Sequence, residues 1–276
     1  MPIVSLSGAF SFPSSLYEYV STTTRRAHVI HVHRHWKNKA RTRRMGQSHL
    51  VAYYPLNGEF KAREIDNKQP AGVLGQVELT TGPHGETNGS YQFSGNPNSF
   101  IEFPNDGGLD TLHSITLMCW VQPGGRDGPL FNYKNSGAWG VHIWIVNGKF
   151  FNRITKYPNH AFFDAILTDQ ALPVGQWAHV AATYDHITGV NSLYVNGHLS
   201  KTEYIGTTER ISTNDGQVRM GVKIGDSRYF NGKIAQMKVY DDALDEVDVK
   251  AAMNEDEKPV FLKGLVSATV HLQESG

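Results

Sequence analysis

Between residues 50 and 255 apolar and polar side chains alternate over short runs, and turn residues separate the runs. Alternation with a period of two places one side of an extended chain against a core. The run from Ser114 to Val121 shows it most clearly. Ile115, Leu117, Cys119 and Val121 fall on one face, and Thr116, Met118 and Trp120 on the other. Both faces are mostly apolar, which predicts a strand with little solvent contact. Trp139 to Val146 has the same character, and Asn147-Gly148 turns it back into Lys149–Thr155. Asn191–Val195 and His198–Tyr204 are joined in the same way by Asn196-Gly197. Asn-Gly tolerates the two positive φ angles of a type I′ turn, so both are predicted hairpins. Further strands are predicted over Trp177–Asp185, Gln217–Gly225 and Gly232–Tyr240, and order is expected to begin with the apolar run Leu50–Leu56. Only Ala243–Asn254 has helical spacing, with Leu244, Val247 and Ala251 as the expected stripe. Many short strands with frequent turns predict a sandwich or a barrel.

The flanks differ from this body. Residues 1–49 hold neither period; Ser/Thr tracts lead into a basic block, which reads as a disordered basic head or propeptide-like segment. Residues 256–276 read as a tail containing the short apolar run from Val260 to Val270. The formal net charge is zero, but the head carries eight Lys/Arg and one acid, which leaves 18 basic and 25 acidic residues in 50–276, a net of −7. An acidic body argues against nucleic acid as a partner. No run approaches the length of a membrane-spanning helix. Cys119 is the single cysteine, so no intrachain disulfide is expected. Met1–Val20 lacks a basic start and an unbroken apolar stretch, so no signal peptide is read there. That conflicts with the secreted reading below, and a fragment missing its true start would reconcile the two.

The order of short motifs resembles a family. Tyr54-Pro55-Leu56-Asn57-Gly58 is similar to the opening strand of laminin-G-like jelly rolls. Gly89 to Gly95, followed by Phe100-Ile101-Glu102-Phe103, resembles their next strand pair. Ser114 to Val121, Gln176 to Asp185, Leu193 to Gly197, Ile224-Gly225 and Phe230 to Leu244 follow in the family's order. Each motif is weak alone; in sequence, over roughly residues 50–255, they form a strong resemblance to the laminin-G-like, concanavalin-like and pentraxin-related domains. The resemblance implies an all-β, antiparallel two-sheet jelly-roll sandwich. The motifs also have packing roles. Trp120 and Trp177 are expected in the layer between the sheets, Gly95 and Gly225 at positive φ, and Asp185 as an acceptor for the turn after its strand.

Candidate chemistry is weighed against plainer readings. Hydrolases of this fold place Glu-x-Asp-x-(x)-Glu on a strand. Glu64-Ile65-Asp66 is the nearest match, lacks the second Glu, and is better read as a solvated loop. A pentraxin-style alignment implies calcium ligands at Asn135 and Asp226, a hard-cation site; ordinary turn residues are the favoured reading. The pentraxin disulfide would need a partner at Ala181, with Cys119 one residue out of register, so Cys119 is read as a small core residue. His28, His31, His33 and His35 could hold zinc or copper, though a solvated basic tract is favoured. Arg41, Arg43 and Arg44 match a secretory convertase pattern, and Asn88-Gly89-Ser90 is an N-glycosylation sequon.

These observations predict a secreted, non-enzymatic adhesion or binding domain, placed in an extracellular matrix, of which a biomineral matrix is one kind. Glycans or matrix proteins would be its partners, bound through rim residues Tyr133, Trp139, Tyr157 and His160. The alternative is a glycan-active hydrolase of the concanavalin-like class.

Overall fold

A computed structural model describes residues 49–256, with residues 135 and 215 excepted. The strands are β1 (Leu50–Tyr54), β2 (Val73–Leu74), β3 (Glu78–Thr80), β4 (Ser90–Ser94), β5 (Ile101–Phe103), β6 (Ile115–Arg126), β7 (Gly128–Asn132) and β8 (His142–Val146). They continue with β9 (Lys149–Arg153), β10 (Ile166–Leu167), β11 (Ala178–Asp185), β12 (Val190–Val195), β13 (His198–Tyr204), β14 (Val218–Met220) and β15 (Asn231–Tyr240). Among the described residues one helix, α1 (Glu246–Asp256), follows. The first sheet runs β13-β12-β11-β6-β15-β4-β3, with β1 also on β15; the second runs β10-β9-β8-β7-β14-β5-β2. The strand pairs are antiparallel, and the two sheets form the expected jelly-roll sandwich.

The alternation in the sequence decides which residues meet between the sheets. Ile115, Leu117, Cys119 and Val121 of β6 pack inward beside Val180, Ala182 and Tyr184 of β11. Phe131, Ile143, Ile145 and Phe150 of the second sheet belong to the same core. Burial pushes the Cys119 thiol up, as befits a small core residue. Both Asn-Gly turns take positive φ at each residue, 52° and 71° at Asn147 and Gly148, and 50° and 75° at Asn196 and Gly197. The Asp185 carboxylate accepts the Ile187 N–H at 3.0 Å, as expected.

Several expectations are corrected. Trp120 lies on the outward face of β6, opposite His179, with their rings 5.4 Å apart. Trp177 precedes β11 and is half-buried. The inter-sheet layer is filled instead by Tyr54, Phe93, Phe103 and Phe131. β8 begins at His142, after Trp139, and β14 covers only Val218–Met220, because the flanking residues form loops. Trp144→Ala should therefore cost roughly 3–5 kcal/mol, since that ring is 1% exposed, and Trp177→Ala clearly less. Urea denaturation of the two variants checks the order.

The helix begins later than its apolar pattern predicts. Asp245 caps it by accepting the Asp248 N–H at 3.0 Å. The buried stripe is Val249, Ala252, Met253 and Asp256, while Val247 is 75% exposed and Ala251 is also exposed. Helix α1 belongs to a second apolar cluster, on the outward face of the first sheet, with Met118, Ala181, Tyr194, Tyr240 and Leu244. That cover is why both faces of β6 are apolar. Glu64 is likewise no solvated loop residue. It is buried, and its carboxylate accepts the N–H groups of Asp66 at 3.0 Å and Lys68 at 2.9 Å. It organises a turn, while Asp66 pairs with Lys68 at 2.7 Å.

Candidate functional site

Among the described residues no helix covers the outward face of the second sheet, which is rich in aromatic rings and cations. Strand register sets its layout. Trp144 pairs with Phe151, and His142 with Arg153, so all four project to the same side. Asn132 of β7 faces His142, and Arg219 of β14 faces Asn132 and, across β5, Glu102. Trp144 donates its indole N–H to the Asn132 side-chain carbonyl, and His142 stacks on Phe151 with centroids 5.6 Å apart. His142, Trp144 and Phe151 are buried and form a floor.

A second tier lies over that floor and meets solvent through Trp139, Arg153, Phe162 and Arg228. Trp139, from the β7–β8 loop, sits 4.9 Å from His142 and 5.6 Å from Trp144, ring to ring. Phe162, from the β9–β10 connection, is 50% exposed. The Arg153 guanidinium carbon lies 5.4 Å from the Phe151 centroid and 5.0 Å from that of Phe162. From the β14–β15 connection, exposed Arg228 lies 4.5 Å over Trp144, and the buried Lys223 lies 4.6 Å from the Trp139 centroid. Each is a cation–π contact. Burial pushes the His142 pKa down to about 3, and the charges of Arg153, Lys223 and Arg228 act in the same direction. The imidazole is therefore neutral, and its Nδ1 lies 2.8 Å from the Gly140 carbonyl.

The residues expected at the rim separate. Tyr133 is fully buried, and its hydroxyl donates to the Leu109 carbonyl at 2.6 Å, so it is a core residue and presents nothing to a ligand. Trp139, Tyr157 and His160 lie in partly exposed loops joined through one segment. The Ser212 carbonyl accepts the Val141 N–H at 2.9 Å, and the Ser212 hydroxyl lies 2.9 Å from His160 Nδ1. Arg210 covers the Tyr157 ring at 4.5 Å. Asp226 lies beside the aromatic floor, but Arg228 holds it through two side-chain contacts, at 2.9 and 2.6 Å. Arg228 also holds its carboxyl below the usual range. A carboxylate so engaged, with Lys223 nearby, does not fit a hard cation. Its proposed partner Asn135 lies outside the described residues, as do Arg41, Arg43, Arg44 and the four head histidines. Among the described residues no three of His, Cys, Asp and Glu converge on a metal position. Asn88 is exposed in a loop, with φ 56°.

Phe151, Arg153, Phe162, Lys223 and Arg228 were not singled out from the sequence. Period two across β8 and β9 carried the signal for the first two. The loop residues had none.

The family model described as the concanavalin A-like lectin/glucanases superfamily matches residues 94–250, more than half of the chain. The chain belongs to this superfamily. No curated protein sequence matches it. Among solved structures, this superfamily member is similar to the binding domain of Paraclostridial Mosquitocidal Protein 1. The TM-score is 0.61 and identity 17%, over 75% of this chain and 52% of the other. It is similar to domain 4 of AbnA, an extracellular GH43 arabinanase from Geobacillus stearothermophilus, in complex with arabinotriose. There the TM-score is 0.56 and identity 18%, over 75% of this chain and 98% of that one. It is also similar to the botulinum neurotoxin serotype D ligand-binding domain in complex with N-acetylneuraminic acid. That match has a TM-score of 0.58 and 14% identity, over 75% and 50% of the two chains. The superfamily member spans about half the length of the toxin domains it matches. Such identities establish the fold alone. No helix among its described residues is long and apolar enough to cross a membrane.

Proposed function

We propose that this chain is a non-enzymatic glycan-binding module, and that the outward face of the second sheet is its binding surface. One observation carries the reading: over a buried aromatic floor, Phe162 is braced by Arg153 and Trp139 by Lys223, with Arg228 over the floor residue Trp144. Aromatic rings offer flat apolar platforms for the C–H faces of sugars, and flanking N–H donors reach hydroxyl groups. Support comes also from the neighbours, two of which are described in complex with arabinotriose or N-acetylneuraminic acid. We place the module on the secretory route and in an extracellular matrix, a reading supported by the Asn88 sequon and the basic sequence at Arg41–Arg44.

The hydrolase alternative is less well supported. A glycosidase needs two carboxyl groups about 5–10 Å apart, one of them a proton donor. On this face Glu102 is bound to Arg219, and Asp226 is held ionised by Arg228. Calcium is not part of the reading. A thermal melt with and without the ion tests that, and a rise in melting temperature that Asp226→Ala removes would restore it.

A glycan array tests the main proposal. The wild type should retain a subset of glycans, and Trp139→Ala should weaken retention about tenfold without changing the melting temperature much. Unchanged retention in Trp139→Ala and Phe162→Ala would move the binding surface elsewhere.

A further inference from the structure

We infer that this face selects saccharides that carry a carboxylate or sulfate group, and that Arg153 is the group that receives the anion. The inference rests on the glycan-binding reading above and adds the charge class of the ligand.

Three cations crowd around the aromatic floor, and the acids near them are engaged unequally: Asp127, which acts on Arg228, accepts the N–H groups of Asn147 at 2.8 Å and Gly148 at 3.2 Å. Asp226 is consumed by Arg228 through two side-chain contacts. Glu102 is consumed by Arg219, whose guanidinium carbon also sits 4.0 Å over Phe100. Among the described residues Lys223 donates to the Gly137 carbonyl at 3.4 Å, and burial lowers its pKa, helped by the charge of Lys134 and opposed by that of Asp226. The Arg153 side chain forms no ion pair and no hydrogen bond among the described residues, and its Nε is buried without a partner. Asp164 acts on it only through space, against burial and the nearby charge of Arg228.

A half-buried guanidinium without an acceptor is a costly arrangement unless a ligand completes it. Phe151 and Phe162 hold this one in place. A guanidinium so fixed has little orientational freedom to lose when its N–H groups pair with the oxygens of one carboxylate or sulfate. The neighbouring rings of Phe162 and Trp139 suit a sugar carrying that group. A long polyanion suits the molecule less well, because residues 50–276 carry a net charge of −7. Positive charge is local here, on the scale of one acidic group rather than a phosphate backbone.

Matched ligand pairs test this at low salt. A uronic-acid oligosaccharide is compared with its carboxyl-reduced form, and a sulfated oligosaccharide with its desulfated form. The wild type should bind at least one acidic member about tenfold to a hundredfold tighter than its neutral counterpart. Arg153→Gln should bring that ratio to within about twofold, whereas Trp139→Ala should weaken both members together. Equal affinity of the wild type for both members overturns the inference and leaves glycan binding standing, and needs no variant to fold. A ratio unchanged in a folded Arg153→Gln protein also overturns it. Binding to neither member of any pair, nor to any neutral glycan, would sink the glycan reading as well. Tighter binding to single-stranded DNA or polyphosphate than to every oligosaccharide would assign the face to polyanions and defeat the inference.

Discussion

Acidification from pH 6.5 to about pH 4.5 is expected to remove about 4–5 kcal/mol of stability. Two buried histidines cause it. His142 lies under the cationic tier, and His179 lies on the outward face of the first sheet with both ring nitrogens unpartnered. Burial pushes both pKa values from 6.5 down to about 3, helped by Arg153, Lys223 and Arg228 at His142 and by Lys238 at His179. The sign follows from proton binding. Above pH 6.5 neither the folded nor the unfolded chain protonates these rings, so they contribute no slope. Below it the unfolded chain takes up two protons that the folded chain refuses, at up to about 1.4 kcal/mol per pH unit for each ring. Stability is thus intact above the unfolded value and declines until pH falls to about 3. Urea midpoints measured across this range check it. His179→Leu should roughly halve the slope, and a flat profile between pH 7 and 5 would contradict the burial of both rings.

The second large effect lies under helix α1. Lys238 and Asp256 form an ion pair at 2.6 Å with side chains 3% and 0% exposed. Lys238 Nζ also donates to the Ala252 carbonyl at 2.8 Å and lies 5.0 Å over the Tyr53 ring. Removing one partner strands a buried charge, so Lys238→Met should cost about 3–5 kcal/mol. Adding Asp256→Leu should recover most of the loss, since two apolar groups of similar volume need no pairing. Denaturant unfolding of both proteins decides the matter. A loss below about 1 kcal/mol in the single variant would show that the helix end is open to water.

How far the sequence reveals this molecule depends on the kind of signal. Period-two alternation located β6, β11 and both Asn-Gly hairpins, because a one-residue slip would turn a whole apolar face to water. Large aromatic residues misled where alternation was not consulted. Trp120 falls on the face of β6 opposite Ile115, Leu117, Cys119 and Val121, and Trp177 precedes its strand. The helix was shifted because Leu244 is buried ahead of the Asp245 cap, outside the helical register. Half of the candidate face was legible in principle: His142, Trp144, Phe151 and Arg153 share a side by alternation across one hairpin. Phe162, Lys223 and Arg228 come from connections whose path no local pattern sets. Tyr133 looked like a loop aromatic and proved to be core, because the chain after β7 stays inside long enough to bury it.

An oxidative tryptophan footprint, read by mass spectrometry with and without a glycan that the protein retains, tests the central claim most directly. Trp120, Trp139 and Trp177 are each partly exposed and lie in different places: the outward face of the first sheet, that of the second, and the approach to β11. The account predicts that bound glycan protects Trp139 and leaves Trp120 and Trp177 as reactive as before. Protection of Trp120 or Trp177 with Trp139 still fully reactive would contradict it.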